Sequence, residues 1–121
     1  MKVTEIAFAG YPVTDLKRAR QFYEGVLGLK PTHVFGDPQK AWVEYDIGPA
    51  TLAIGNCVPE WKPLPGGGSV ALEVEDFDAA IKQLKQRGAD FRFAPVETPV
   101  CHVAVVADPD GNWITIHKRK M

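Results

Sequence analysis

With 121 residues, 45% of them apolar, the chain is long enough for one domain with a buried core and too apolar for a disordered segment. Fourteen basic and fifteen acidic residues leave a net charge of −1, which speaks against nucleic acid or an anionic membrane as the main partner. Cys57 and Cys101 lie 44 positions apart, so neither a disulfide scaffold nor a zinc knuckle is expected.

The N-terminal run MKVTEIAFAGYPV is interrupted by Glu5, Gly10 and Pro12. It lacks the apolar stretch of a signal peptide, and no later stretch is long enough to cross a bilayer. The expectation is a soluble cytoplasmic protein with reduced thiols.

A helix follows in VTDLKRARQFYEGVLGLK, with Thr14 or Asp15 as its cap and Leu16, Ala19, Phe22, Tyr23, Val26 and Leu27 as one apolar stripe. Gly28 suits the left-handed position after the last turn. Three strand-like runs come next, at about 31–36, AWVEYDI and TLAIGN, the last two joined through Gly48-Pro49. The segment KPLPGGGS, with its stiffening prolines and loosening glycines, reads as a joint.

The pattern then repeats. SVALEVEDFDAAIKQLKQRGADF holds an alternating strand, Asp76 as cap and an apolar stripe of Phe77, Ala80, Ile81 and Leu84. A shift of 61 positions lays Val13 on Val74, Asp15 on Asp76, Leu16 on Phe77 and Ala19 on Ala80. Strands are predicted at about 91–93, CHVAVVA and NWITIH. Each half is therefore βαβββ: a module over 1–61, a linker over 62–68 and a second module over 69–121, together one α+β domain. A single sheet with a chance similarity is the alternative.

The end of the chain carries the candidate chemistry. Ile114 and Ile116 share one face of the last strand, leaving Trp113, Thr115 and His117 on the other. Val103 and Val105 are expected to face the helix with them. Pairing around Pro109-Asp110 then sets Val106 opposite Trp113, Ala104 opposite Thr115 and His102 opposite His117. Two readings stand for this pair: imidazoles in a ligand cavity that exchange protons near neutral pH, or two solvated strand-end histidines. Ser69, Ala71 and Glu73 share a face by the same parity. Glu73 is a carboxylate that could orient His117, or equally a solvated strand end.

Trp113 and Phe8 offer flat apolar surface for a ligand, or plain core filling. Trp61 sits in a loop that could form a lid, meet a partner chain or dock on its own module; Trp42 has no assigned role. Cys101 takes the parity of the helix face or of a strand end and, pointing away from His102, makes no dyad with it. His33 reads as a surface residue, and Lys118, Arg119 and Lys120 as a solvated basic end. The PLPGGGS run lacks the features of a phosphate loop.

Paired βαβββ modules, YPVTDLKRARQFYEGVLGL in the first and VADPDGNWITIH at the end, resemble the vicinal oxygen chelate superfamily, also called the glyoxalase/bleomycin resistance/dioxygenase superfamily. The resemblance implies two modules curled into incomplete barrels around a cleft, often completed in a homodimer. It also implies metal-ligand places on the first and last strand of each module, which fall here on Phe8, Ala53, Ser69 and Thr115. Phenyl and methyl groups have no donor atom, and neutral hydroxyls are weak ligands for zinc or iron. The expectation is accordingly no metal and no cofactor. The chain would be a metal-independent protein binding a small organic molecule between its modules, with Phe8, Ala53, Ser69, Trp113 and Thr115 as lining. The alternative is an isomerase or lyase using His102, His117 and Glu73 as acid–base groups.

Overall fold

A computed structural model describes residues 1–120 of the chain. It divides into two compact units, one ending at Pro63 and one beginning at Leu64. Among the described residues, no helix is long and apolar enough to cross a membrane.

The first unit contains β1 (Ala9–Pro12), α1 (Leu16–Arg20), β2 (His33–Gly36), β3 (Ala41–Ile47) and β4 (Ala50–Gly55). Its sheet has the order β1-β4-β3-β2, with β1 parallel to β4 and the other pairs antiparallel. The second unit repeats the plan with β5 (Ser69–Glu73), α2 (Phe77–Gln86), β6 (Asp90–Glu97), β7 (Cys101–Ala107) and β8 (Trp113–Arg119). Its order is β5-β8-β7-β6, again with the first and last strands parallel. The fold is thus α+β, two βαβββ units each built on an open four-stranded mixed sheet, as the repeat in the sequence indicates.

Both helices start where a carboxylate can accept an orphan backbone N–H. Asp15 accepts from Arg18 N at 3.0 Å and Asp76 from Ala79 N at 3.0 Å. The apolar stripes then close the cores. Leu16, Ala19, Phe22 and Tyr23 are buried with Tyr11, Val43, Tyr45, Leu52 and Ile54, and Tyr23 stacks on Tyr45 with ring centroids 6.1 Å apart. In the second unit Phe77, Ile81 and Leu84 are buried with Ala104, Val106, Ile114 and Ile116.

The first helix departs from the expected regular one. After Arg20 it widens into a π-helical segment, Gln21–Val26, with Leu27 N bonded to Phe22 O at 2.9 Å. A buried hydroxyl accompanies the wide turn: Tyr45 OH donates to Glu24 Oε2 at 2.9 Å, and Arg20 Nε donates to the same oxygen at 2.6 Å. Burial, and then the bond to Glu24, push the Tyr45 phenol above its ordinary value.

The β7–β8 register differs from the expected one by one residue. Ala107 pairs with Trp113, Val106 with Ile114, Ala104 with Ile116 and Val103 with His117, while His102 pairs with Lys118. The connection is a five-residue loop, Asp108 to Asn112, centred on Asp110 and not between Pro109 and Asp110. Asp108 organises it: Oδ1 accepts from Asp110 N at 2.8 Å and Asn112 N at 2.9 Å, and Oδ2 from Asn112 Nδ2 at 2.8 Å. An Asx side chain that mimics the backbone in this way closes a wider turn than Pro-Asp alone suggests. A one-residue shift exchanges the two faces of a strand. Ala104 and Val106 therefore face α2 in place of Val103 and Val105.

Candidate functional site

Each sheet has one face under its helix and one face free of it, and the residues of interest divide between them. In the second unit, pairing places Ser69 beside Trp113, Ala71 beside Thr115 and Glu73 beside His117, all on the helix-free face. Glu73 Oε1 lies 2.5 Å from His117 Nδ1, and Glu73 Oε2 accepts from Arg119 N at 2.7 Å. The backbone bond from Arg119, then the imidazole, hold the Glu73 carboxyl below its usual range. An ionised carboxylate accepts, so Nδ1 of the imidazole carries the proton of this bond. Ser69 Oγ and Thr115 Oγ1 share a hydrogen bond of 2.8 Å. Trp113 is half-buried beside them.

His102 is not part of this group. The register carries it to the helix face, where its ring lies 5.4 Å from that of Phe77 at the start of α2. There it lines an open depression of about 380 Å³ with Glu75, Asp76, Asp78 and Lys118. The expected His102–His117 pair is thus replaced by two histidines on opposite faces of one sheet. Cys101 moves with the register: it opens β7 on the helix-free side, buried, with Sγ 3.2 Å from Thr98 Oγ1. Cys57 is exposed.

In the first unit the helix-free face is aromatic. Pairing gives two rows across the sheet, Gly10–Ala53–Glu44–His33 and Pro12–Gly55–Trp42–Phe35. Trp42 lies close over Gly55, where a Cβ would come within 2.8 Å of the indole. Trp61 reaches back from its loop over Gly10, 3.1 Å from the place of a Cβ. The two indoles meet with centroids 5.8 Å apart, and Phe8 meets Trp42 edge-on at 5.2 Å. Side chains at positions 10 and 55 would displace these rings, which explains glycine at both. Trp42 Nε1 donates to Glu44 Oε2 at 2.9 Å, and His33 Nδ1 stands 3.6 Å from Glu44 Oε1. Phe35, 58% exposed, stacks on His33 with centroids 6.0 Å apart.

Phe8 and Ala53 belong to this surface, Phe8 as a partly exposed ring and Ala53 as a buried methyl. Trp42, Glu44 and Trp61 were not expected to assemble here. The alternation in AWVEYDI carries part of the signal, since Val43 and Tyr45 are core residues and Trp42 and Glu44 must point the other way. Nothing local in the sequence indicates that Trp61 folds back onto Trp42.

The resemblance to the superfamily implies metal-ligand places at Phe8, Ala53, Ser69 and Thr115. Ala53 pairs with Gly10 as Thr115 pairs with Ala71, so the repeat places Ala53 and Thr115 at equivalent points of their sheets. Neither Phe8 nor Ala53 offers a donor, and the Ser69 and Thr115 hydroxyls bond to each other. These residues do not fit a divalent zinc or iron ion, which takes imidazole, carboxylate or thiolate. Among the described residues, no group of three His, Cys, Asp or Glu side chains could hold a metal.

Comparison with known proteins agrees with the fold. A sequence profile of the Glyoxalase/Bleomycin resistance protein/Dioxygenase superfamily matches residues 5–116. A lactoylglutathione lyase of Escherichia coli O157:H7 is 30% identical over 120 residues, covering 89% of this chain and 87% of that protein. Among solved structures, TnmS3 from Streptomyces sp. CB03234, described as an antibiotic binding protein, superposes with a TM-score of 0.81 at 24% identity and covers 99% of both chains. A glyoxalase/bleomycin resistance protein from the same organism gives 0.76 at 26% identity, over 94% of this chain and 100% of its own.

Proposed function

Because the chain belongs to the Glyoxalase/Bleomycin resistance protein/Dioxygenase superfamily, we propose that it binds a small, partly aromatic organic molecule without a resident divalent metal. The observation that carries this reading is the Phe8–Trp42–Trp61 cluster on the helix-free face of the first sheet. Three large rings at half-exposed positions, two of them close over glycines, form a surface suited to stacking a planar ligand. The description of TnmS3 as an antibiotic binder accords with it, although at that identity the likeness speaks to the fold alone.

The test is a titration of intrinsic tryptophan fluorescence with planar aromatic probes, paired with thermal denaturation. At least one probe should quench the indoles and raise Tm, and Trp42→Ala should weaken its binding about tenfold or more, as loss of an aromatic anchor does. Added zinc, nickel or ferrous ion should leave Tm unchanged. A metal ion retained at one per chain, or no response to any aromatic probe, would overturn the reading.

A second reading is favoured by the 2.5 Å contact of Glu73 and His117. A carboxylate that orients an imidazole, with hydroxyls of Ser69 and Thr115 on the same face, can serve an isomerase or lyase as a general base. His117→Ala discriminates: it abolishes turnover if the dyad does chemistry and leaves probe affinity at Trp42 intact if binding is the whole function. In either reading the protein works as a homodimer, supported by the exposed apolar side chains on and beside edge strand β6, Phe93, Val96 and Val100.

A further inference from the structure

The aromatic surface of the first unit has a carboxylate within it, and we infer that its ligand carries a protonated amine beside a planar ring, with Glu44 as the anchor. This rests on the binding reading above and narrows the ligand's chemistry. Glu44 occupies the middle of the helix-free face, between Ala53 on β4 and His33 on β2. Its Oε2 accepts the indole N–H of Trp42 at 2.9 Å, which fixes the side chain. Oε1 stands 3.6 Å from His33 Nδ1, beyond hydrogen-bond length. An ionised carboxylate offers about four acceptor positions, so this oxygen retains capacity for a donor from a ligand.

The surroundings select the kind of donor. Trp42 flanks Glu44 on its own strand; His33 and Phe35, ring on ring, flank it on the neighbouring one. Indole and phenyl faces carry negative quadrupole density and attract organic cations. The same face carries a second carboxylate at Asp46, which accepts from Thr51 Oγ1 at 2.9 Å, and β3 contributes no Lys or Arg to it. A neutral aromatic ligand would gain only the stacking. An anionic one would meet two carboxylates. A flat ammonium ligand gains stacking, cation–π attraction and a charge-assisted hydrogen bond together.

The experiment uses two probes of nearly equal shape, 1-naphthylmethylamine, protonated at neutral pH, and 1-naphthalenemethanol, which is neutral. Both are titrated by calorimetry into the full chain and into Glu44→Gln. The glutamine carbonyl still accepts from Trp42, and circular dichroism checks the fold. The wild type should bind the amine about tenfold or more tightly than the alcohol, the share expected of one charge-assisted hydrogen bond. Glu44→Gln should remove that preference. Equal affinities in the wild type would overturn the inference while leaving the aromatic binding reading intact, and this comparison decides even if the variant fails to fold. A preference that survives Glu44→Gln would overturn the role of Glu44. Binding of neither probe to folded wild type would overturn both the inference and the reading beneath it.

Discussion

Glu73 shows how a side chain can be correctly placed by parity and still be defined by a partner that parity does not reveal. Alternation along SVALE puts Ser69, Ala71 and Glu73 on one face, and the structure agrees. The first cause of its lowered pKa, however, is the backbone N–H of Arg119, with His117 second. Because folding holds this carboxyl below its ordinary value, its stabilisation is complete above the unfolded carboxylate range. It is lost as pH falls through the lowered folded value. Glu73→Gln should therefore unfold at a lower urea concentration than wild type at neutral pH, and the gap should close in acid. A gap independent of pH, measured by urea midpoints across the acid range, would show that the carboxylate charge contributes nothing. His102 is the opposite case. Its chemistry is plain in the sequence, but its face depends on a register that CHVAVVA does not encode.

At the scale of elements, that register explains the misplacement. β7 ends in Val103, Ala104, Val105, Val106 and Ala107, and of these Ala104 to Ala107 are buried whichever way they point. A strand apolar on both sides offers no alternation to anchor its pairing, so the loop decides, and the loop is governed by Asp108. Gly111 completes it at φ 83, a conformation open to glycine and strained for other residues, and a Cβ there would lie 3.0 Å from Pro65. Gly48 provides the contrast, with φ 57 and no atom within 4 Å of a Cβ. Gly48→Ala should cost roughly 1 kcal/mol from backbone strain alone, and Gly111→Ala more, because the proline must also yield. Urea denaturation of the two variants checks the order; equal costs would show that Pro65 moves freely. The helix of the first unit teaches a related lesson. Its apolar stripe and Asp15 cap are visible in the residues, but the π-helical segment accompanies a tyrosine hydroxyl whose burial only the packed sheet creates.

For the molecule as a whole, the repeat sets the plan: two units of the same order, each with a parallel pair and an outer antiparallel edge. The homodimer is implied by the resemblance to the family, and exposed Phe93, Val96 and Val100 on and beside that edge in the second unit support proposing it. Light scattering after gel filtration should give twice the 13.3 kDa mass of one chain, and replacing Phe93 and Val96 together by lysine should shift it toward the single-chain value. A single-chain mass in the unaltered protein would remove the dimer from the proposed function.

What the sequence determined alone is whatever depends on residue type and short spacing. The caps and stripes set the helices, and the repeat of 61 positions shows that one unit occurs twice. The residue types at the places where the resemblance puts metal ligands are legible too: a phenyl ring and a methyl without a donor atom, and two hydroxyls that are weak ligands for zinc or iron. Tertiary structure decided which groups meet. Trp61 over Gly10, Phe8 against Trp42 and His102 beside Phe77 join residues far apart in the chain, and for His102 a register one residue different would turn the side chain to the opposite face. Local preference carries no energy term that distinguishes the β7–β8 registers; the turn at Asp108 does.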